Sequence, residues 1–173
     1  MKILETRRLI LRTLRLQDLD SLFALYSDSE IRRYFPDGTL TYEQTREELD
    51  WFLRGGDPEH PRLGLWATIH KETDQFIGRC GLIPWTIEGR PEVEVAYLLA
   101  KGHWRQGLGA EIAGALVRYG FEQLQLSRLI ALIDPENRAS IRTAEKAGLR
   151  FERRIEQEGS PCSLYAIARP PMC

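Results

Sequence analysis

VEVAYLLAKGHWRQGLGAEIAGAL, residues 93–116, is the stretch around which the rest of the chain is organised. Residues 93–99 predict a β-strand. A basic turn containing Gly102, Gly107 and Gly109 follows, and a long apolar helix begins at Leu108. A glycine-containing turn at a helix N-terminus leaves backbone N–H groups unpaired at the positive end of the helix dipole. The stretch therefore predicts a phosphate-binding turn.

This turn differs from the two common nucleotide-binding motifs. It lacks the third glycine and the later acidic residue of the dinucleotide fingerprint, and it lacks the Gly-Lys-Ser/Thr ending of a P-loop. The N–H groups offered to a phosphate would belong to Gln106, Gly107, Gly109 and Ala110. Glycine lets a ligand approach the backbone where a Cβ would block it. A tight strand-to-helix connection without any ligand is the alternative interpretation.

A second strand-to-helix junction lies further along the chain. Residues 128–134 predict a strand, Pro135-Glu136-Asn137 starts a helix, and Gly148 ends it. Asn137 and Ser140 are three residues apart, so both can face one ligand from the first helical turn. Three cations follow each other at i, i+4 spacing: Arg138, Arg142 and Lys146. These cations either form a solvated face of the helix or contact a phosphate, and Arg142 is the best candidate for such a contact.

The remaining segments predict a mixed sheet flanked by helices, an α/β fold. The other predicted strands are residues 8–16, 64–70, 75–85, 151–157 and 164–169. Asp18 is expected to cap a first helix, and Thr41 with Gln44 forms a capping box for a second. The last hairpin is expected to turn at Gly159-Ser160-Pro161. Because a helix connects residues 93–99 to residues 128–134, these two strands are predicted to be parallel.

Size and charge restrict the class of protein. The 173 residues are enough for one hydrophobic core, so residues 1–173 are predicted to form a single domain. With 24 basic and 25 acidic side chains the net charge is −1, which argues against general nucleic-acid binding and a polybasic membrane anchor. No apolar run approaches the roughly 20 residues that cross a bilayer, and the first residues lack the apolar core of a signal peptide. A cytoplasmic protein is expected.

The cysteines and histidines are scattered along the chain. The residues concerned are Cys80, Cys162, Cys173, His60, His70 and His103. Their spacing fits neither a metal site nor a disulfide framework, so we expect no bound metal. Cys80 lies in an apolar run and is predicted to be buried, whereas the terminal Cys173 is predicted to be exposed.

The two junctions resemble motifs A and B of the GNAT superfamily, the acetyl-CoA-dependent N-acetyltransferases. Several further segments resemble the RimJ/RimL branch of that superfamily, which modifies protein N-terminal amines and small amines. These segments are Glu5-Thr6-Arg7-Arg8-Leu9-Ile10-Leu11-Arg12, Tyr26-Ser27-Asp28, Arg33-Tyr34, Asp134-Pro135-Glu136-Asn137 with Ser140, and Glu145-Lys146-Ala147-Gly148. The similarity extends from about Glu5 to Phe151, nearly the whole chain.

The resemblance implies a site for acetyl-CoA. In this fold a mainly antiparallel sheet contains one parallel pair, here residues 93–99 and 128–134, which splays apart around the cosubstrate. The backbone of Tyr97, Leu98 and Leu99 would pair with the pantetheine amides. The pyrophosphate would bind the turn made of Arg105, Gln106, Gly107, Leu108, Gly109 and Ala110. Asn137 would bind the pantetheine arm, Ser140 would lie near the sulfur, and Arg142 would contact a phosphate.

The resemblance also suggests catalytic groups, with two departures from the family pattern. Trp104 stands where the superfamily has Arg or Gln, and Ala144 stands where many members have a tyrosine general acid. Ser140 is therefore the candidate acid, with a purely structural role as the alternative. Glu94 matches the branch's glutamate and is the candidate base, with Glu92 on the same strand face. For each glutamate, an ion pair with a neighbouring arginine is the alternative.

The predicted function is that of an N-acetyltransferase acting on a primary amine. The amine would attack acetyl-CoA directly in a ternary complex, because no cysteine is placed to carry the acetyl group. N–H groups near Leu99 would hold the thioester oxygen. A catalytically silent acyl-CoA-binding or sensing domain is the alternative, since Ala144 replaces the tyrosine. The acceptor, a protein N-terminus or a small molecule, stays open, as does the choice between monomer and homodimer.

Overall fold

The computed structural model describes residues 1–171 and contains one mixed β-sheet in that range. Eight strands lie in the order β1-β2-β3-β4-β5-β6-β8-β7. Their bounds are β1 Lys2–Glu5, β2 Leu9–Arg12, β3 Gly64–His70, β4 Gln75–Ile87, β5 Arg90–Leu99, β6 Arg128–Ile133, β7 Arg150–Gln157 and β8 Ser160–Ala168. The α-helices are α1 Leu19–Tyr26, α2 Tyr42–Leu53, α3 Leu108–Glu122 and α4 Arg138–Lys146. Cys173, predicted to be exposed, lies outside the described residues.

The predicted fold class is confirmed. Neighbouring strands are antiparallel throughout this sheet except for β5 and β6, which are parallel. The helix α3 connects those two strands and crosses from one end of the sheet to the other, which is why they run in the same direction. Four helices flank the sheet in the described part of the chain.

Helices pack on both faces of β5, and this burial fixes the position of the strand. Val95 and Leu99 belong to the core that α3 covers, whereas Leu98 belongs to the core beneath α1 and α2. The alternation follows from the period of two residues in a β-strand. On α3, Leu108 and Ile112 are fully buried, as the apolar stripe predicted. The start of α3 is therefore held rigidly against the sheet.

The N-terminal region differs from the sequence prediction. Residues 8–16 are not one strand, because β2 ends at Arg12 and an additional strand, β1, pairs with it. Asp18 stands at the N-cap position of α1, but its side chain makes no cap hydrogen bond to that helix, so the predicted side-chain cap is not formed. Its carboxylate, 4% exposed, accepts hydrogen bonds from both terminal nitrogens of Arg12 at 2.8 Å and from the Arg15 N–H at 2.7 Å. This ion pair joins the end of β2 to the segment that precedes α1.

The last hairpin turns one residue earlier than predicted. Glu158 and Gly159, both at positive φ, form the last turn, so Ser160 and Pro161 belong to β8. Glu88 and Gly89 make the same kind of turn between β4 and β5. Two consecutive residues at positive φ are typical of the tight turns that match strand twist. The Thr41–Gln44 capping box is confirmed at α2, and the predicted burial of Cys80 is confirmed as well.

Candidate active site

The parallel strands β5 and β6 meet at a single register position and then separate. Their pairing is recorded only at Glu94 and Ile130, although β5 continues to pair with β4 as far as Leu99. Tyr97, Leu98 and Leu99 therefore lie on a strand edge that faces the opening between β5 and β6. Backbone N–H and C=O groups require hydrogen-bond partners, and an extended ligand can supply them as an added strand would.

The turn after β5 presents backbone N–H groups at the start of α3. Gly107 is the N-cap residue, adopts φ +75° and provides no side-chain cap. The N–H groups of Leu108, Gly109 and Ala110 have no partner within the helix, since these are its first residues. They point along the positive end of the helix dipole, which favours an anion. Arg105 also has positive φ, at 59°, a strained conformation for a residue with a side chain.

Two side chains hold this turn in place. Trp104 Nε1 donates to the Leu99 carbonyl at 2.8 Å, and Gln106 Nε2 donates to the Gly102 carbonyl at 3.0 Å. The Trp104 contact joins the turn directly to the end of β5. Trp104 thus has a local structural role, which comparison with the family motif did not indicate. Leu108 is 1% exposed and belongs to the core, so its side chain anchors the start of α3 against the sheet.

The second wall of the opening is the first turn of α4. The Asn137 Oδ1 atom accepts the Ser140 N–H at 3.1 Å and caps the helix, which leaves the amide nitrogen to act as a donor. Ser140 Oγ donates to the Tyr97 hydroxyl at 3.1 Å, and that hydroxyl donates to the Ser140 carbonyl at 2.9 Å. These hydrogen bonds join β5 to α4 across the opening.

The Tyr97 side chain is a functional candidate that sequence reasoning missed. Burial raises the pKa of its hydroxyl, against a lowering effect of the hydrogen bond with Ser140, so the group stays protonated at neutral pH. Ala144, where a tyrosine stands in many GNAT members, is fully buried in the core. The sequence does place a tyrosine on the strand predicted to lie beside Ser140. The family resemblance assigns a role only to the backbone of this residue and none to its hydroxyl.

Glu94 lies where β5 and β6 begin to separate. Its Oε2 atom accepts a hydrogen bond from Trp85 Nε1 at 2.7 Å. Burial raises the pKa of this carboxyl to about 7, although Trp85, the charge of Arg79 and the Leu132 N–H on β6 act in the opposite direction. A carboxyl with a pKa near neutrality can both accept and release a proton at physiological pH. Glu94 is therefore the titratable group at this opening best suited to act as a base.

Glu92 is engaged differently. Both of its carboxylate oxygens accept from Arg128 Nε at 3.1 Å, and the same guanidinium pairs with Glu152. The arginine pairing considered for both glutamates is thus seen for Glu92, whereas among residues 1–171 no ion pair is recorded for Glu94. The geometry favours Glu94 over Glu92 as a proton acceptor.

Arg142 is not brought together with Ser140. Two residues along a helix turn the side chain by about 200°, so Arg142 points away from the face that carries Ser140. It lines a shallow surface depression together with Glu145, Lys146 and Arg150. A phosphate contact of Arg142 stays a prediction.

In the described residues, no group of histidine, cysteine or acidic side chains has an arrangement that could hold a metal ion. No helix in the same range is long and apolar enough to traverse a bilayer.

Comparison with known proteins gives consistent matches along most of the chain. The family model described as "Acetyltransferase (GNAT) domain" matches residues 8–150. The protein YkkB of Bacillus subtilis is 36% identical over 163 residues, covering 94% of this chain and 93% of YkkB. The N-acetyltransferase YoaA of Bacillus subtilis is 31% identical over 175 residues, covering 97% of each chain.

Solved structures share the fold. An acetyltransferase of the GNAT family from Bacillus anthracis superposes with a TM-score of 0.82 at 26% identity, covering 97% of this chain and 98% of that one. A putative ribosomal-protein-serine acetyltransferase from Vibrio cholerae has a TM-score of 0.74 at 18% identity, with 98% of each chain covered. Spermidine N-acetyltransferase from Vibrio cholerae, in complex with CoA and spermine, has a TM-score of 0.76 at 18% identity, covering 93% and 95%.

Proposed function

The chain belongs to the acetyltransferase (GNAT) family, and from this premise we propose that it transfers the acetyl group of acetyl-CoA to a primary amine. The observation that carries the proposal is the separation of β5 from β6 directly after Glu94. A candidate proton acceptor, a stretch of β5 that no other strand of residues 1–171 covers on that side, and the candidate phosphate-binding turn lie along one opening. We further propose that residues 1–173 act as one acetyltransferase domain in the cytoplasm.

The residues along the opening fit the three parts of the donor. The edge formed by Tyr97, Leu98 and Leu99 would pair with the two amides of the pantetheine arm, with the Asn137 amide nitrogen donating from the opposite wall. The N–H groups of residues 106–110 would bind the diphosphate, because the N-cap glycine leaves them uncapped. When bound, acetyl-CoA supplies the activated acyl group as a thioester.

Glu94 would act as the general base. An ammonium has no free electron pair, so the acceptor must lose a proton to attack the thioester carbonyl. The Glu94 carboxyl can take that proton because its pKa lies at about 7. Direct attack in a ternary complex then forms a carbon–nitrogen bond as the carbon–sulfur bond breaks.

Ser140 would act as the general acid. Its Oγ atom lies within hydrogen-bond distance of the Tyr97 hydroxyl, which is kept protonated by burial. Ser140 Oγ would donate a proton to the departing thiolate and regain one from solvent, while its hydrogen bond to the Tyr97 hydroxyl holds it in position. The pair would compensate for the alanine at position 144. N–H groups near Leu99 would stabilise the oxyanion that develops on the carbonyl.

The acceptor we propose is a protein N-terminal amine or a small-molecule amine, as in the RimJ/RimL branch. The same fold occurs in proteins whose names specify ribosomal-protein-serine and spermidine acetylation. The face of β4 and β5 beneath α1 and α2 carries Glu94, so the acceptor would enter from that side.

A turnover assay tests the proposal. The protein is incubated with acetyl-CoA and a panel of peptides with free N-termini, polyamines and aminoglycosides, while released CoA is measured. We expect amine-dependent CoA release, with no acetyl group retained on the protein when acetyl-CoA is given alone. Tight CoA binding without release for any amine would instead favour a silent acyl-CoA-binding domain. Acetyl trapped on the protein would contradict direct transfer.

A further inference from the structure

The connection between β1 and β2 contacts the phosphate-binding turn. Arg8 lies in this connection and donates from Nη1 to the Gln106 carbonyl at 2.8 Å. Its Nε and backbone N–H donate to the two carboxylate oxygens of Glu111 at 2.7 Å and 2.8 Å. Thr6 Oγ1 also donates to Glu111, at 2.6 Å. A segment about a hundred residues away in sequence thus contacts both the turn and the first turn of α3.

The position of Glu111 poses an electrostatic problem for a phosphate site. A carboxylate in the first turn of a helix interacts favourably with the helix dipole. The same charge repels a diphosphate bound to the same helix end. Burial acts to raise the pKa of Glu111, but hydrogen bonds from Thr6 and Arg8 outweigh this effect and lower it. Glu111 is therefore ionised at neutral pH, and the paired Arg8 offsets its charge.

The guanidinium of Arg8 also reaches the glycine at the centre of the turn. A Cβ built on Gly107 would lie 3.5 Å from Arg8 Nη2. Nε and Nη1 are engaged with Glu111 and Gln106, whereas no hydrogen bond of Nη2 is recorded among residues 1–171. The hydrogen bond from Nη1 directs the Gln106 carbonyl oxygen toward the arginine. One donor of Arg8 is left beside the N–H groups of the turn.

We infer that Arg8 is a positioning residue of the diphosphate site, which orients the Gln106 carbonyl, neutralises Glu111 and offers Nη2 to a diphosphate oxygen. The inference rests on the proposed function, because it requires CoA to bind at this turn. It concerns the diphosphate alone, since the contacts of Arg8 are with the turn and with α3. Arg8 should therefore affect ligands that carry the diphosphate and leave ligands without it unaffected.

The test compares CoA with pantetheine, which lacks the diphosphate. Arg8→Met removes the guanidinium, and Arg7→Met is the matched control because Arg7 is the adjacent, exposed arginine. We expect Arg8→Met to weaken CoA binding by roughly ten- to a hundredfold, as for the loss of charged hydrogen bonds. Pantetheine binding should be unchanged in both variants, and CoA binding should be unchanged in Arg7→Met. Calorimetry measures CoA binding, and an NMR titration measures pantetheine binding.

A second substitution separates charge from folding. Glu111→Gln in the Arg8→Met protein removes the unpaired carboxylate, so CoA affinity should recover in part. If Arg8→Met folds poorly, Arg8→Lys replaces it in the test. A lysine keeps a positive charge near Glu111 but cannot also reach Gln106. Its ratio of CoA affinity to pantetheine affinity should lie between those of the unaltered protein and Arg8→Met. Equal weakening of both ligands, an unchanged affinity ratio, or no recovery on adding Glu111→Gln would overturn the inference. Failure of the unaltered protein to bind CoA would instead refute the proposed function.

Discussion

At the scale of single residues, the structure separates side chains that the sequence leaves equivalent. Glu92 and Glu94 are both glutamates on the same face of β5. Glu92 forms an ion pair with Arg128, whereas Glu94 is buried and accepts a hydrogen bond from Trp85. The distinction depends on which residues of other strands lie opposite each glutamate. Periodicity along one strand contains no such information.

Glu94→Gln tests the proposed base. We expect the turnover number to fall by about 10²- to 10⁴-fold, the usual contribution of a general base. In the unaltered protein, kcat/KM should rise with pH through about 7, because only the ionised carboxylate accepts a proton and its pKa lies there. Glu92→Gln is the matched control, which loses the Arg128 pair and should affect stability more than turnover. A Glu94→Gln protein with the original rate and pH profile would contradict the assignment.

Ser140→Ala and Tyr97→Phe test the proposed acid. Each removes one hydroxyl of a hydrogen-bonded pair while leaving the turn at Gly107 intact. Each should lower kcat more than it changes CoA affinity, as measured by steady-state kinetics and calorimetry. Because the two hydroxyls act together, the double variant should lose little more activity than the stronger single variant. Full turnover in Ser140→Ala would show that this serine is structural.

At the scale of elements, strong local signals predicted well and short elements did not. The apolar stripe of α3 and the capping box of α2 were predictable from spacing alone. The strand β1 has four residues, too few for alternation to be visible. Asp18 has a side chain that suits a helix cap, but a half-buried partner, Arg12, lies within reach and donates to both carboxylate oxygens. Tertiary contacts therefore decided what local preference could not.

Gly107→Asp tests the proposed phosphate-binding turn. An aspartate here adds a negative charge to the turn. Its backbone must also adopt φ +75°, a conformation that favours glycine. CoA affinity measured by calorimetry should fall below detection. Gly89→Asp is the matched control, since Gly89 also has positive φ, at 79°, and open space around it, but lies in the β4–β5 hairpin. Unchanged CoA affinity in Gly107→Asp would refute the proposed turn.

Gly78→Ala tests how closely β4 must approach β5. A Cβ at Gly78 would lie 2.2 Å from the Leu98 carbonyl oxygen, a contact that forces the two strands apart. We expect the free energy of unfolding to fall by about 3 kcal/mol or more, beyond ordinary overpacking. Gly102→Ala, with nothing within 4 Å of its added methyl group, should change stability little. Chemical denaturation measures both, and equal stabilities would contradict the close approach.

At the scale of the whole molecule, the sheet is closed at one end of β5 and β6 and open at the other. Arg128 joins Glu92 of β5 to Glu152 of β7 near the closed end, and Arg153 continues the contacts to Glu88. The parallel pair follows from a helical crossover and was predictable, whereas the position of β8 between β6 and β7 was not predicted. Where the pair separates was not predictable from residue patterns and entered only through the family resemblance. The opening is the feature on which the proposed chemistry depends.

The most direct test of the central claim is a crystal structure of the protein with CoA bound. The account predicts that the pantetheine amides pair with the backbone of Tyr97, Leu98 and Leu99, and that the diphosphate lies on the N–H groups of residues 106–110. The CoA sulfur should lie between Glu94 and Ser140, where an amine can reach the thioester. CoA bound outside the opening between β5 and β6, or with its sulfur remote from both side chains, would contradict the account.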